Sequence, residues 1–403
     1  MSRIAQLSFY PTKQPMHGGQ QRAHHIARVL EAAGHDIIRL PFFRWDHHDS
    51  QDEAPVIDLA TGVERRRYPG IVEITDFTLS ELIATDEDYF AIFAARMDEV
   101  QPDIVMLEEP WLWPAVRRWR SGRANPPPVI FNSYNVESLA KAPILAELDH
   151  EQAGAILAEI AALERDLAAH AAAVTVTTES DAAILRGWTS APVVVACNGT
   201  TPRWRAQLRG ILPAPLQPAH KFLLFVGSGH PPNATGFLTM AMPALARLRS
   251  HQRLVLAGGV CDLITARLEK LGPNALLRDR AVFLRQVSAL GLDCLISNAA
   301  GILLPITYGG GSNLKTAEAL ASGLPVIGTS TAFRGFEAYK HLPQVTIADT
   351  PQDFADAVQR TLQANPPPRE QAMVTALHWS STLQPLIDLV NTLTPQAHYE
   401  ATV

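Results

Sequence analysis

The run from Ala299 to Thr329, AAGILLPITYGGGSNLKTAEALASGLPVIGT, constrains the fold of this chain more than any other. Ala299–Ile306 is an apolar stretch of the length of a strand buried on both faces of a parallel sheet. Gly309, Gly310 and Gly311 follow, where the backbone turns and approaches a ligand closer than a Cβ permits. Ser312 and Asn313 are helix-starting residues. Gly323 stops the helix, and Pro325 bars its continuation before a second strand at Val326–Thr329. A parallel strand–helix–strand unit with glycines at its turn offers free N–H groups and a helix dipole to an anion, most often a phosphate. The amides at Gly310, Gly311, Ser312, Asn313 and Leu314 are the ones so placed.

Two charges lie inside this helix. Glu318 shares a face with Leu314 and Ala321, and a carboxylate on an apolar face requires a partner. The paired hydroxyls of a ribose would serve. Lys315 sits in the first turn, where the dipole disfavours a cation unless an anion is near. The competing reading is an i,i+3 salt bridge between Lys315 and Glu318 on a solvated face, and the helix alone leaves both open.

The same rhythm runs through the chain. Residues 3–9 read as a strand, Pro11–Gly19 as a loop ending in Gly18-Gly19, and Ala23, Ile26, Ala27, Leu30 and Ala33 mark a helix stopped by Gly34. Strands follow at Asp36–Phe43, Asp103–Leu107, Val129–Ser133, Val174–Thr178 and Val193–Cys197. Helical patterns occupy Ser80–Val100, Pro143–Ala171 and Ser180–Trp188. The stretch GILPAPLQPAH, residues 210–220, reads as a linker. Beyond it strand and helix alternate again, from Lys221–Val226 and the loop Gly227-Ser228-Gly229 to a helix at Pro351–Ala364. After Pro366-Pro367-Pro368 a last helical pattern covers about 369–391. The expected architecture is α/β: two doubly wound Rossmann-like lobes facing across a cleft. The lobes are 1–209 and 221–368, joined by 210–220, with 369–403 as a helix and tail packing back toward the first lobe.

With 403 residues the chain has room for two domains, and its 47% hydrophobic content is that of a globular protein. A net charge of −6 argues against a general nucleic-acid binder. Cys197, Cys261 and Cys294 are widely spaced and odd in number, which points to a reducing compartment and to core thiols. With no apolar leader and no run of 18 apolar residues, a cytoplasmic location is expected. No Asp/His cluster has metal-ligand spacing. Two surface features leave a weak peripheral membrane contact open: Arg65-Arg66-Arg67, and Trp111, Trp113 and Trp119 beside Arg117, Arg118 and Arg120. Solvation and ordinary lobe packing are the alternatives for each.

In order along the chain, these residues resemble the family 4 glycosyltransferases. Gly18-Gly19 looks like the acceptor-lobe glycine loop of that family, Ser133-Tyr134-Asn135-Val136-Glu137 like its S-H-N-V-E segment, and Asn198-Gly199 like its inter-lobe N-G. Phe225-Val226-Gly227-Ser228 with Pro231-Pro232-Asn233 looks like the opening of its donor lobe. The string from Glu318 to Val326 looks like its E-A-x-A-x-G-x-P-V signature. The resemblance implies the GT-B fold and retaining transfer of a sugar from a nucleoside-diphosphate sugar to a hydroxyl acceptor; since no Asp/His cluster has metal-ligand spacing, no essential metal and no cofactor are expected, with the helix dipole and Lys315 in a metal's place. UDP, GDP and ADP stay open, as do a glycan, a lipid-linked glycan and a small molecule as acceptor.

Carried over, Glu318 holds the donor ribose and the glycine-loop amides face the diphosphate. Gly18 and Gly19 let the first lobe approach the donor phosphate. Lys315 neutralises the leaving diphosphate. The chain departs from the family at four places. Gly310 stands where the first glutamate of E-x7-E would be, Tyr134 replaces the histidine beside the transferred sugar, and Ser228 and Asn233 lie near the usual diphosphate-clamping arginine and lysine. Tyr134 can donate a hydrogen bond, but acid–base work at neutral pH would demand a large pKa shift. These departures motivate two rivals: an acceptor-independent nucleotide-sugar epimerase or hydrolase, and a non-catalytic GT-B nucleotide-binding protein. A Rossmann oxidoreductase is disfavoured because neither glycine cluster completes the dinucleotide motif.

Overall fold

In the computed structural model the described residues are 1–46, 53–68, 70–201, 203, 206–269, 279–364 and 375–394. Pro366–Pro368, the start of the last helical pattern at Arg369 and the tail from 395 lie outside them. The chain forms two compact units. One is Met1–Cys197 joined by the segment that begins at Thr382, and the other is Asn198–Ser381.

The first unit is built on a six-stranded parallel sheet: β1 (Arg3–Ser8), β2 (Asp36–Pro41), β3 (Ile104–Glu108), β4 (Val129–Asn132), β5 (Ala173–Val176) and β6 (Val193–Val195), in the order β2-β1-β3-β4-β5-β6. The strands β3, β4 and β5 are buried along their whole length, as parallel strands covered on both faces must be. The strand order reverses between β1 and β3. At such a point the connections leave in opposite directions and open a crevice at the strands' carboxyl ends.

The second unit repeats the plan with β7 (Lys221–Val226), β8 (Gln252–Ala257), β9 (Ala281–Phe283), β10 (Gly301–Leu304), β11 (Val326–Gly328) and β12 (Val345–Ile347). Their order, β12-β11-β10-β7-β8-β9, places the reversal between β7 and β10. Leu223, Leu224, Leu254, Leu256, Leu303 and Ile327 form the buried centre of this sheet. Leu216, within the proline-rich stretch 210–220, is part of the same core.

Helices depart from the sequence expectation where caps override periodicity. The helix α1 (Gly18–Ala32) begins at the glycine pair instead of after it. His17 accepts from the Gln20 amide while the Gln20 side chain accepts from His17 N–H, a reciprocal capping box. The pattern over 80–100 is two helices, α2 (Thr75–Thr85) and α3 (Glu87–Val100). Asp86 divides them by accepting from the amides of Asp88 and Tyr89. The pattern over 143–171 is likewise α5 (Glu137–Glu147) and α6 (Ala153–His170), with α4 (Trp113–Ser121) preceding them. Pro143, read as a helix start, lies inside α5, and Asp149 in the left-handed region (φ +47°) makes the break.

The two surface features pack largely as their solvation and lobe-packing alternatives expect. Trp111, Trp113 and Trp119 are buried. The indole N–H of Trp113 donates to Asp166 at 2.7 Å and that of Trp119 to Asp98 at 2.7 Å. Arg66 is buried too and donates to the Ile71 carbonyl, while Arg65 pairs with Asp86 and Arg67 with Glu81 and Glu159. Each tryptophan had a carboxylate or core within reach, and each arginine a local acceptor. Among the described residues no helix is long and apolar enough to cross a membrane.

Candidate functional site

In the second unit the crevice at the β7/β10 reversal is lined by three loops. Gly227 N–H donates to the Ala257 carbonyl and Val260 N–H to that of Gly227, which locks the loop after β7 to the loop after β8. A Cβ on Gly258 would meet the Gly227 carbonyl oxygen at 2.3 Å, so the two loops touch backbone to backbone. The Asn233 side chain is buried and donates to the Ser228 carbonyl at 2.9 Å. Asn233 and Ser228 therefore hold the loop's shape from within.

The loop after β10 carries the glycines. Gly309 (φ +137°) and Gly311 (φ +59°) adopt conformations that side-chain-bearing residues avoid. Arg334 braces the loop: its guanidinium donates to the carbonyls of Gly311 (3.1 Å), Gly310 (3.2 Å) and Thr331 (2.8 Å). Ser312 is fixed by Asn198, whose backbone N–H donates to the Ser312 hydroxyl and whose side chain donates to its carbonyl at 3.0 Å. The helix that follows, Leu314–Ala321, has Asn313 at its N-cap position with no side-chain capping bond, because Asn313 reaches instead to the Ala332 carbonyl. The N-terminal amides thus lack the usual side-chain acceptor and face the loop.

Lys315 and Glu318 project from this helix into a recess at the reversal. Leu224 and Val226 of β7 and Ile302 and Leu304 of β10 form its floor. Leu292 and Ile296 of the helix Ala289–Asn298 form one wall. Both charged side chains are half-buried, and among the described residues neither makes a hydrogen bond or ion pair. The Lys315–Glu318 salt bridge is not formed. Burial lowers the Lys315 pKa, with Arg334 pushing the same way and Glu318 opposing. Burial raises that of Glu318, against the fields of Arg203 and Lys315. A cation and a carboxylate held apart beside apolar walls and uncapped amides can receive an anion, a diol and a flat apolar ring.

In the first unit the centre is Glu108, at the carboxyl end of β3 and buried. It accepts from Gln6 Nε2 (2.5 Å), the Tyr134 hydroxyl (2.6 Å) and Asn132 Nδ2 (3.1 Å). Arg22 stands 5.3 Å over the Tyr134 ring. Burial, then the Glu108 charge, raises the Tyr134 pKa well above its ordinary value. That shift is opposite to the one acid–base work requires, so Tyr134 acts here as a donor that holds Glu108. The segment after it is equally tied down. Asn135 donates to Glu137, and Glu164 accepts from the Glu137 and Ser138 amides at the start of α5. Gly18 and Gly19 form the first turn of α1, and a Cβ on Gly19 would come within 3.1 Å of the Tyr10 hydroxyl.

Arg334, Glu108 and Tyr10 were not singled out from the sequence. Glu108 ends β3 and Tyr10 lies just beyond β1, and only the strand order brings the two together. Arg334 lies in a short loop segment with no periodic pattern of its own.

The sequence matches the family description "Glycosyl transferases group 1" over residues 220–364 and "Glycosyl transferase 4-like domain" over 17–199. No curated protein sequence is similar enough to match. Among solved structures, sucrose-phosphate synthase from Thermosynechococcus elongatus superposes with a TM-score of 0.68 at 19% identity, over 98% of this chain and 99% of that one. WaaG, a glycosyltransferase involved in lipopolysaccharide biosynthesis, superposes at 0.60 with 16% identity over 96% and 98%. Anabaena HepE, solved with UDP-glucose, superposes at 0.58 with 13% identity over 97% and 100%. At these identities the structures establish the fold, and the two sequence matches, which between them cover most of the chain, establish the kinship. The chain belongs to the family 4 glycosyltransferases of the GT-B fold.

Proposed function

We propose that this glycosyltransferase moves a hexosyl group from a nucleoside-diphosphate sugar to an acceptor hydroxyl, with retention at the anomeric carbon and without an essential metal. The observation that carries the reading is the pair Lys315 and Glu318, unpaired beside the uncapped helix start and the braced glycine loop. Glu318 accepts from the two ribose hydroxyls. The amides from Gly310 to Leu314 hold the diphosphate, and Lys315 offsets the charge that grows on it as the glycosidic bond breaks. The apolar walls take the base. HepE was solved with UDP-glucose and a starch synthase with ADP, which supports a hexosyl nucleotide as donor. Retention is carried over from the family. Metal independence rests on Lys315 and the helix dipole meeting the diphosphate charge.

The test is nucleotide release and calorimetric binding with a panel of UDP-, GDP- and ADP-hexoses, with and without EDTA. One donor binds and turns over whether or not EDTA is present. Glu318→Ala weakens binding by at least about tenfold, the loss of two hydrogen bonds to a charged group. Absence of binding by every donor, or a variant equal to the native protein, sinks the donor site. Binding without turnover on any acceptor selects the non-catalytic reading, and free or altered sugar without acceptor selects the hydrolase or epimerase.

A further inference from the structure

Two cations act on Glu318, and only Lys315 belongs to its helix. The other is Arg203, near the start of the second unit, where residues 198, 200 and 203 are each anchored. Asn198 is bonded to Ser312, just ahead of the helix that bears Glu318. The Thr200 N–H donates to the Leu377 carbonyl at 2.8 Å. The Arg203 guanidinium donates to the Asp293 carboxylate at 3.3 Å. Asp293 is buried, and it lies beside Leu292 on the helix Ala289–Asn298 that walls the recess. The anchors at 198 and 203 therefore stand on the two helices that enclose the recess.

The charge of Arg203 is felt at Glu318. Burial raises the Glu318 pKa, and of the groups that oppose it Arg203 acts most strongly, ahead of Lys315 on the same helix. Yet no ion pair joins Arg203 to Glu318 among the described residues. A guanidinium is a planar fork that fits both oxygens of a carboxylate at once. Bonded to Glu318, it would cover the oxygens that a diol needs. Asp293 holds it back from that position. From beyond bonding distance the guanidinium still favours the ionised form, because water screens little of the field beside apolar walls.

We infer that Arg203 and Asp293 are positioning residues for the donor ribose: Asp293 holds the Arg203 guanidinium near enough to Glu318 to keep it a carboxylate, and far enough to leave both of its oxygens open to the diol. The inference rests on the donor-site reading above and extends it to two residues that act through Glu318.

The experiment uses the full chain and two readouts. With glutamate carboxyls labelled by ¹³C, the Glu318 resonance, assigned by its loss in Glu318→Gln, is titrated with pH in the absence of nucleotide. Calorimetry at pH 7 gives the affinities for UDP, GDP and ADP and for their 2′-deoxy forms. The native protein prefers the ribo form of its best nucleotide by at least about fivefold, as a hydroxyl bonded to a charged acceptor should make it. Arg203→Gln moves the Glu318 midpoint up and cuts that preference at least threefold, and Arg203→Lys restores most of both. Asp293→Asn moves the midpoint down, as Arg203 closes on Glu318, and still weakens nucleotide binding at least threefold. A loop merely loosened by either change would not drive the two midpoints apart. A Glu318 midpoint equal in Arg203→Gln and native protein overturns the inference, as does Asp293→Asn that binds nucleotide as tightly as the native chain. Native protein that binds no nucleotide strikes the donor-site reading instead, and the midpoints alone then judge the link from Arg203 to Glu318.

Discussion

At the scale of single residues, Lys315 and Glu318 carry opposite shifts, and both narrow the pH range in which the proposed nucleotide site works. The lowered Lys315 pKa means that its cation is lost on the alkaline side earlier than from an ordinary lysine. The raised Glu318 pKa means that its carboxylate is protonated on the acid side above the usual carboxylate range. Nucleotide affinity measured against pH therefore falls on both flanks, and Lys315→Ala flattens the alkaline flank while lowering kcat by about 10²- to 10³-fold. Both residues were legible in the sequence because one helix period places them beside a glycine loop, a purely local relation. Arg334 was not. It reaches the Gly310 and Gly311 carbonyls from more than twenty residues away, and only the folded loop shows that the glycines need a brace.

At the scale of elements, contact between backbones sets the tolerances. Gly236 ends the short helix Pro231–Gly236, and a Cβ there would sit 1.8 Å from the Pro305 carbonyl oxygen, at the root of the glycine loop. Gly236→Ala destabilises the chain by about 3 kcal/mol or more. Gly154→Ala, near the start of α6 with nothing within 4 Å, is neutral or stabilising by up to about 1 kcal/mol. Thermal melts of the two variants make the comparison. Glu164, whose carboxyl group receives the first amides of α5, has its pKa raised to about 7, chiefly by burial, from an ordinary 4.5. The folded state thus holds a proton that the unfolded chain has lost, and this contribution to stability falls as pH climbs from about 4.5 through 7. In denaturant titrations Glu164→Gln is flatter than the native protein across that window. Strands and the glycine-punctuated helix were readable from apolar runs. Asp86 and Asp149 were not read as helix breaks, because hydrophobic periodicity runs on across both.

At the scale of the whole molecule, two units with separate sheets predict that UDP, present at a hundred times its Kd, adds about 2.7 kcal/mol to the unit that contains Lys315 and Glu318. Scanning calorimetry should show that unit's transition rising while the other stays. The alternation of strands and helices revealed two α/β sheets. It did not reveal the strand orders, which follow from pairings between distant segments, and the Glu108 cluster depends on those orders. The first unit also recruits a segment from beyond the second. The helix Gln384–Leu393 packs on β6, Asn391 meets His35 at 3.2 Å, and Thr394 bonds to Ser2 at 3.0 Å. During synthesis the ribosome makes Met1–Cys197 before the helix Gln384–Leu393, which completes this unit about ten to forty seconds later at ordinary elongation rates. The half of the enzyme that is born first is therefore the half that is finished last, and a nascent chain stalled before residue 382 would display an open flank on β6 for a chaperone to cover.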